Sequence, residues 1–310
     1  MIVIRPIPVT SSVLTSTNIA EPDVTLSGEL AETAWVAGTY NTGTRRIMAS
    51  THKLYEVVAS PSTSDQPDVG SAKPVQTWIE VSATNRYRAF DAVIDTQATD
   101  ATAPITYRFE PVGLCNSFAA FNILGVSDVV VTVTDDVDGV VYNNTVDMTD
   151  DSAVIDEYTW AFSPIIFRSK VILLNLPAYN NPQIDVTFNG IGSIGVGEIV
   201  IGNALVIGEA RYGTSVETVD YSTYEADNFG NRQVVRRRTA DLTEFRVGVM
   251  KNRINYVRTI LKDLRGVNCV WVGEGVEDDA TLVYGFGRGS RIPIETPSMN
   301  EMIITVQGLV

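Results

Sequence analysis

The chain has 310 residues, of which 45% are apolar and 19% charged, and a formal net charge of −14. That length passes the ~250 residues at which single cores stop growing, so more than one unit is expected, and the composition excludes a disordered chain. Residues 1–210 carry 10 Lys/Arg against 24 Asp/Glu while residues 211–310 carry 13 against 13; such an acidic balance repels phosphate backbones and excludes nucleic acid as a specific partner.

The first segment, 1–27, opens with the strand-like MIVIRPIPV. It has no basic stretch leading into a long apolar run, and no run in the chain approaches the ~18 apolar residues that span a bilayer, so no membrane insertion is expected. Residues 28–82 have a different character, with Trp35, Tyr40, Tyr55 and Trp78 spaced among Gly and Thr before a low-complexity loop at 60–74. A unit this short builds little core, so those rings are its core first and a binding face second.

Strand signals dominate residues 84–209. The stretch DVVVTVTDDVDGVVYNNTVD, 128–147, alternates β-branched residues on both sides of Asp138-Gly139 and reads as a hairpin. Short runs at Ser169–Leu176, Gln183–Phe188 and Val196–Ile201, broken by Pro, Asn and Gly, point to a jelly-roll β-sandwich. Residues 210–310 change pattern. Leu242–Met250 reads as a strand, and Asn252 is expected to cap a helix over Arg253–Arg265. Ile254, Val257, Leu261 and Leu264 form that helix's apolar stripe, and Gly266 closes it. Strands follow at Asn268–Gly273, Thr281–Gly287 and Met302–Leu309. The fold class is therefore mainly β and multi-domain: a small aromatic module, a sandwich, and a β-helix-β-β unit.

Catalytic chemistry has few candidates. His52 is the only histidine, which leaves zinc and Ser/Cys-triad catalysis without a base or ligand set. Cys115 and Cys269 each stand in an apolar run and read as buried thiols rather than a disulfide. The carboxylate groups Asp135-Asp136, Asp150-Asp151 and Glu277-Asp278-Asp279 fall in turns between strands, where solvated acids are common; two carboxylates across a cleft are what a glycosidase needs. The turn at 135–139 lacks the downstream Glu of an EF-hand loop. No phosphate-binding or dinucleotide fingerprint is present, since GFGRGS at 285–290 opens a strand and not a helix. No enzyme activity, cofactor or metal is expected. Arg236, Arg237 and Arg238 are the one basic cluster; in a strand they alternate faces, and they read either as a solvated edge or as contacts to an acidic neighbouring subunit.

Three stretches carry a resemblance. FRVGVMKNRINYVRTILKDLRGVNCVWVGEG with LVYGFGRGSRIPIETPSMNEMIITVQGL resembles the strand-helix-strand-strand unit of phage tail-tube and distal-tail proteins. Asn85-Arg86-Tyr87-Arg88-Ala89-Phe90-Asp91, with Trp160-Ala161-Phe162 and SPIIF further on, is similar to the carbohydrate-binding jelly rolls of tail proteins. Trp35, Gly38-Thr39-Tyr40, Tyr55 and Trp78 resemble the skeleton of chitin-binding modules, departing from it at Thr44, which follows Gly43 where that family carries an acid.

The resemblance implies a structural virion protein of a bacteriophage tail, of the distal-tail or baseplate-hub type, synthesised in the host cytoplasm. Segments 1–27 and 210–310 would join as a tail-tube-like domain forming a cyclic homo-oligomer, six-fold by analogy, with 28–82 and 84–209 as outward decoration. Its partners would be other copies of itself, the tube, hub and fibre proteins of the tail, and host surface glycans. Trp35, Tyr40 and Trp160 are then the candidates for stacking on sugar, and Arg236, Arg237 and Arg238 for the subunit interface. The alternative is a peripheral receptor-binding adhesin or fibre adaptor that binds cell-surface carbohydrate.

Overall fold

Alternating β-branched and polar residues over most of the chain produce strands in the computed structural model, which describes every residue except 22–32, 103, 153, 227–231, 274–280, 295 and 310. The fold is mainly β, with strands over about half its length and helix over about a tenth. The scaffold strands, in chain order, are β1 (Ile2–Pro6), β2 (Leu14–Thr17), β3 (Arg45–Met48), β4 (Lys53–Val57), β5 (Trp78–Ala83), β6 (Ile105–Phe109), β7 (Ser117–Asp135) and β8 (Gly139–Asp147). They continue with β9 (Val171–Leu173), β10 (Gln183–Val206), β11 (Glu209–Ala210), β12 (Thr239–Met250), β13 (Cys269–Val272), β14 (Leu282–Arg291) and β15 (Met299–Gly308). The α-helices are α1 (Pro67–Ser71), α2 (Glu157–Phe162) and α3 (Ile254–Asp263).

The small aromatic module is the antiparallel sheet β3-β4-β5. Tyr55, Val57 and Trp78 are its buried centre, with Trp35, Tyr40 and Met48 packed against them. The loop ahead of β5 is held by polar contacts: Trp78 Nε1 donates to the Asp65 carbonyl at 3.0 Å and Thr77 Oγ1 to the Asp65 carboxylate at 2.7 Å.

Two long strands organise residues 84–209. β7 and β10 pair from Ser117↔Gly202 to Thr134↔Gln183, with register shifts around Val126. β8 and β9 flank β7, while β6 and β1 flank β10. The pair bends in the middle, where Gly125 takes a φ of +72° that L side chains resist. Both halves thereby turn one face to a common core, with Phe118 and Val131 on β7 and Phe188 and Val196 on β10. The hairpin read at 128–147 is the second half of β7 with β8.

The remaining strands form a closed circuit. β1 pairs with β13, β13 with β14, β14 with β15, and β15 with β12. β12 pairs with β11, and β10 runs through residues 207–208 into β11. The end of β10 in turn pairs with β1. The first residue closes the join, its amino group donating to the Gly208 carbonyl at 2.6 Å. Inside lie Val3, Phe245, Val247, Trp271, Ile304 and the apolar face of α3. On α3 the buried residues are Ile254, Val257 and Ile260, followed by Leu264, with Leu261 only partly covered. Gly266 ends the helix with a φ of +75°. Asn252 does not cap it: Lys251–Arg253 is a 3-10 turn, and Arg253, at the N-cap, makes no side-chain cap bond. Arg253 has φ −96° and ψ −7°, whereas a capping residue needs extended backbone.

One face of β1, β13 and β14 lines this circuit and the other meets the β7/β10 unit. That second contact buries Ile4, Ala119, Phe121, Val200, Val270 and Tyr284 together. Each large apolar side chain removed from water there contributes about 1.5–3 kcal/mol, so a packed seam joins the two units. The N-terminal strand belongs to both.

Candidate interaction surfaces

The seam holds an acid. Glu198, on β10, is 3% exposed; Tyr284 donates to its Oε1 at 3.0 Å and the Ala92 backbone N–H to its Oε2 at 3.1 Å. The Phe121 and Tyr284 rings stack beside it, 5.6 Å apart. Burial pushes the carboxyl up to about 8, the nearby Asp91 charge adds to the rise, and the two hydrogen bonds oppose it. Burial likewise raises Asp91 above the usual carboxylate range. The signal of Glu198 in the sequence is a lone acid inside the apolar run Ile194–Ile201.

The aromatic candidates fall in two places. Trp35 and Tyr40 lie together against the core of the small module, Tyr40 edge-on to Trp78 with centroids 5.7 Å apart and its hydroxyl donating to the Val36 carbonyl at 2.6 Å. Arg46 covers the Tyr40 ring at 5.0 Å. Trp160 lies elsewhere, on α2, and is 77% exposed.

The arginine candidates do not share a strand. Arg236, Arg237 and Arg238 occupy the connection between Arg232–Val235 and β12, and all are exposed. Arg238 is paired within the chain, its Nε 3.0 Å from the Asp95 carboxylate. Residues 236–238 lie outside the strands, with a backbone bond from the Tyr221 N–H to the Arg238 carbonyl at 3.2 Å, so the alternation expected of a strand does not apply.

His52 sits at a junction. With a φ of +53° it stacks on Tyr87 at 3.9 Å, meets the Glu21 carboxylate at 3.2 Å, and shares a hydrogen bond with Ser11 at 2.8 Å. It thus ties the small module to the N-terminal segment and to the start of the β7/β10 unit. The turn carboxylates make structural hydrogen bonds: Asp135 accepts from the backbone of Val137 and Asp138 within its own turn, and Asp138 from the distant Tyr179 hydroxyl at 3.0 Å. Residues 277–279 lie outside the described residues. Cys115 and Cys269 are free and buried, their thiols pushed up by burial to about 11 and about 12, which keeps both protonated near neutrality.

Two surface features were not read from the sequence. The first is the excursion between β8 and β9, closed at its base by Thr149↔Phe167 and Asp150↔Ile166 pairs and carrying the wholly unburied α2. The second is a groove of about 260 Å³ between α3 and β14, floored by Leu261, Leu264 and Trp271 and rimmed by Arg258, Lys262, Arg265 and Arg288. Compared with protein-family models and with curated protein sequences, the chain matches none.

Proposed function

We propose that this chain is a structural, non-enzymatic component of a bacteriophage tail, of the distal-tail or baseplate-hub type, working as a closed ring of identical copies. The observation that carries the reading is the closed strand circuit made from β1, the end of β10 and β11–β15, from which residues 34–200 project through a packed seam. A ring needs a rigid repeating body, and decoration fixed to that body by buried apolar contact holds one orientation around the ring. The one strongly perturbed acid among the described residues fits a structural role, because both Glu198 oxygens are taken by Tyr284 and Ala92 within a buried seam. The circuit is also the part of the chain whose sequence resembles tail-tube proteins.

The test is native mass spectrometry with negative-stain class averages of the full-length protein. A closed ring of one size is the expected result, and a monomer at every concentration would overturn the reading. A second reading, a peripheral adhesin, is favoured by the outward Trp160. It predicts a glycan-array signal lost in Trp160→Ala with assembly unchanged.

A further inference from the structure

The excursion from Asp147 to Phe167 holds five acidic residues and no basic one. Along it Ile155, Tyr158, Trp160, Phe162 and Ile165 are each more than 70% exposed. Isolated exposed apolar residues need no explanation, but five within the eleven residues 155–165, with the Tyr158 and Phe162 rings in contact, mark an interaction site. The segment is also held in shape. Its base is a two-residue ladder, Arg168 N–H donates to the Met148 carbonyl at 2.6 Å, and Asp156 accepts from the Thr159 backbone at 2.7 Å in a reciprocal cap. The Tyr158 and Phe162 rings lie 4.8 Å apart. A preorganised anchor loses little conformational freedom on docking.

The groove between α3 and β14 is its complement. The β14–β15 ladder skips one residue between Gly287 and Gly289, and such a bulge re-aims the extra side chain; that residue, Arg288, joins the groove rim. Among the described residues, Arg258, Lys262, Arg265 and Arg288 make no ion pair. At about 260 Å³ the groove is smaller than the roughly 300–1,000 Å³ usual for small-molecule sites, and it suits inserted side chains better than a free ligand.

We propose that the acidic aromatic arm 150–167 of one copy docks in the basic α3/β14 groove of the next. Trp160 reaches the apolar floor, and Glu157, three residues before it on the same helix face, meets Lys262 and Arg265 together with Asp151. Charge complementarity selects a second copy of this chain as the occupant: the acidic excess lies in the first two thirds of the sequence and the groove in its neutral last third. Arm into groove is a head-to-tail contact, the kind that closes into rings. This rests on the ring reading above and assigns Trp160 to the subunit contact instead of sugar.

The test uses the full chain in two charge-reversed forms, Lys262→Glu with Arg265→Glu and Asp151→Lys with Glu157→Lys, all at exposed positions. Each form alone is expected to weaken self-association on the order of a hundred-fold in sedimentation, with melting temperature unchanged, and a mixture of the two to recover assembly. A wild-type ring that survives both reversals overturns the arm-to-groove contact and leaves the ring standing. A two-fold dimer lost on reversal supports the contact and overturns the ring. A wild-type protein that stays monomeric overturns both.

Discussion

At the scale of single residues, Glu198 couples the seam to pH. In the native chain its carboxyl stays neutral up to about 8, against about 4.5 when freely solvated. Between those values the folded state holds a proton that the unfolded state has released, so stability falls as pH rises, by up to about 1.4 kcal/mol per pH unit, and the loss levels off above the folded value. Glu198→Gln removes the proton equilibrium while keeping an oxygen that accepts a hydrogen bond. Urea titrations from about pH 5 to about pH 8 should show wild type losing stability against the variant as pH climbs; a pH-independent difference would refute the coupling. Asn252 and Arg236–Arg238 show the opposite lesson. Residue type indicated a cap and a strand, but the local backbone is a 3-10 turn in one case and a connection between strands in the other.

At the scale of elements, the bend in β7 and β10 rests on close backbone approach. A Cβ at Gly190 would lie 2.2 Å from the Gly125 carbonyl oxygen, whereas one at Gly192, the next glycine along, meets nothing within 4 Å. Gly190→Ala is therefore expected to cost on the order of 2–3 kcal/mol through overpacking. Gly192→Ala pays only for its left-handed backbone, about 1–2 kcal/mol. Paired denaturation curves measure the difference, and equal losses would argue against the close approach. The helix was legible because its stripe is local: Ile254, Val257, Leu261 and Leu264 repeat at three- and four-residue spacing, and all but the partly covered Leu261 are buried. The hairpin was legible for a similar reason, with Asp138-Gly139 supplying a turn residue at a φ of +73°.

At the scale of the whole molecule, the seam packs the β7/β10 unit against the strand circuit, whereas the small module has a core cluster of three side chains, Tyr55, Val57 and Trp78, with Ile47 and Leu54 also buried on its strands. Native-state hydrogen exchange is expected to show amides of β3–β5 opening at lower free energy than those of β10, β13 and β15. Equal protection throughout would mean that the module is bound more firmly than its core provides. Sequence by itself determined the mainly β class, the apolar stripe of α3, the turn of the β7–β8 hairpin and the burial of both thiols, because each follows from periodicity or residue type over a few neighbours. Only tertiary structure decided that β1 sits between β10 and β13, that Glu198 meets Tyr284, and that Arg288 joins α3 at a groove. Those contacts join residues from about 30 to more than 250 positions apart, and strand alternation states which side chains share a face but not which strand will lie beside it.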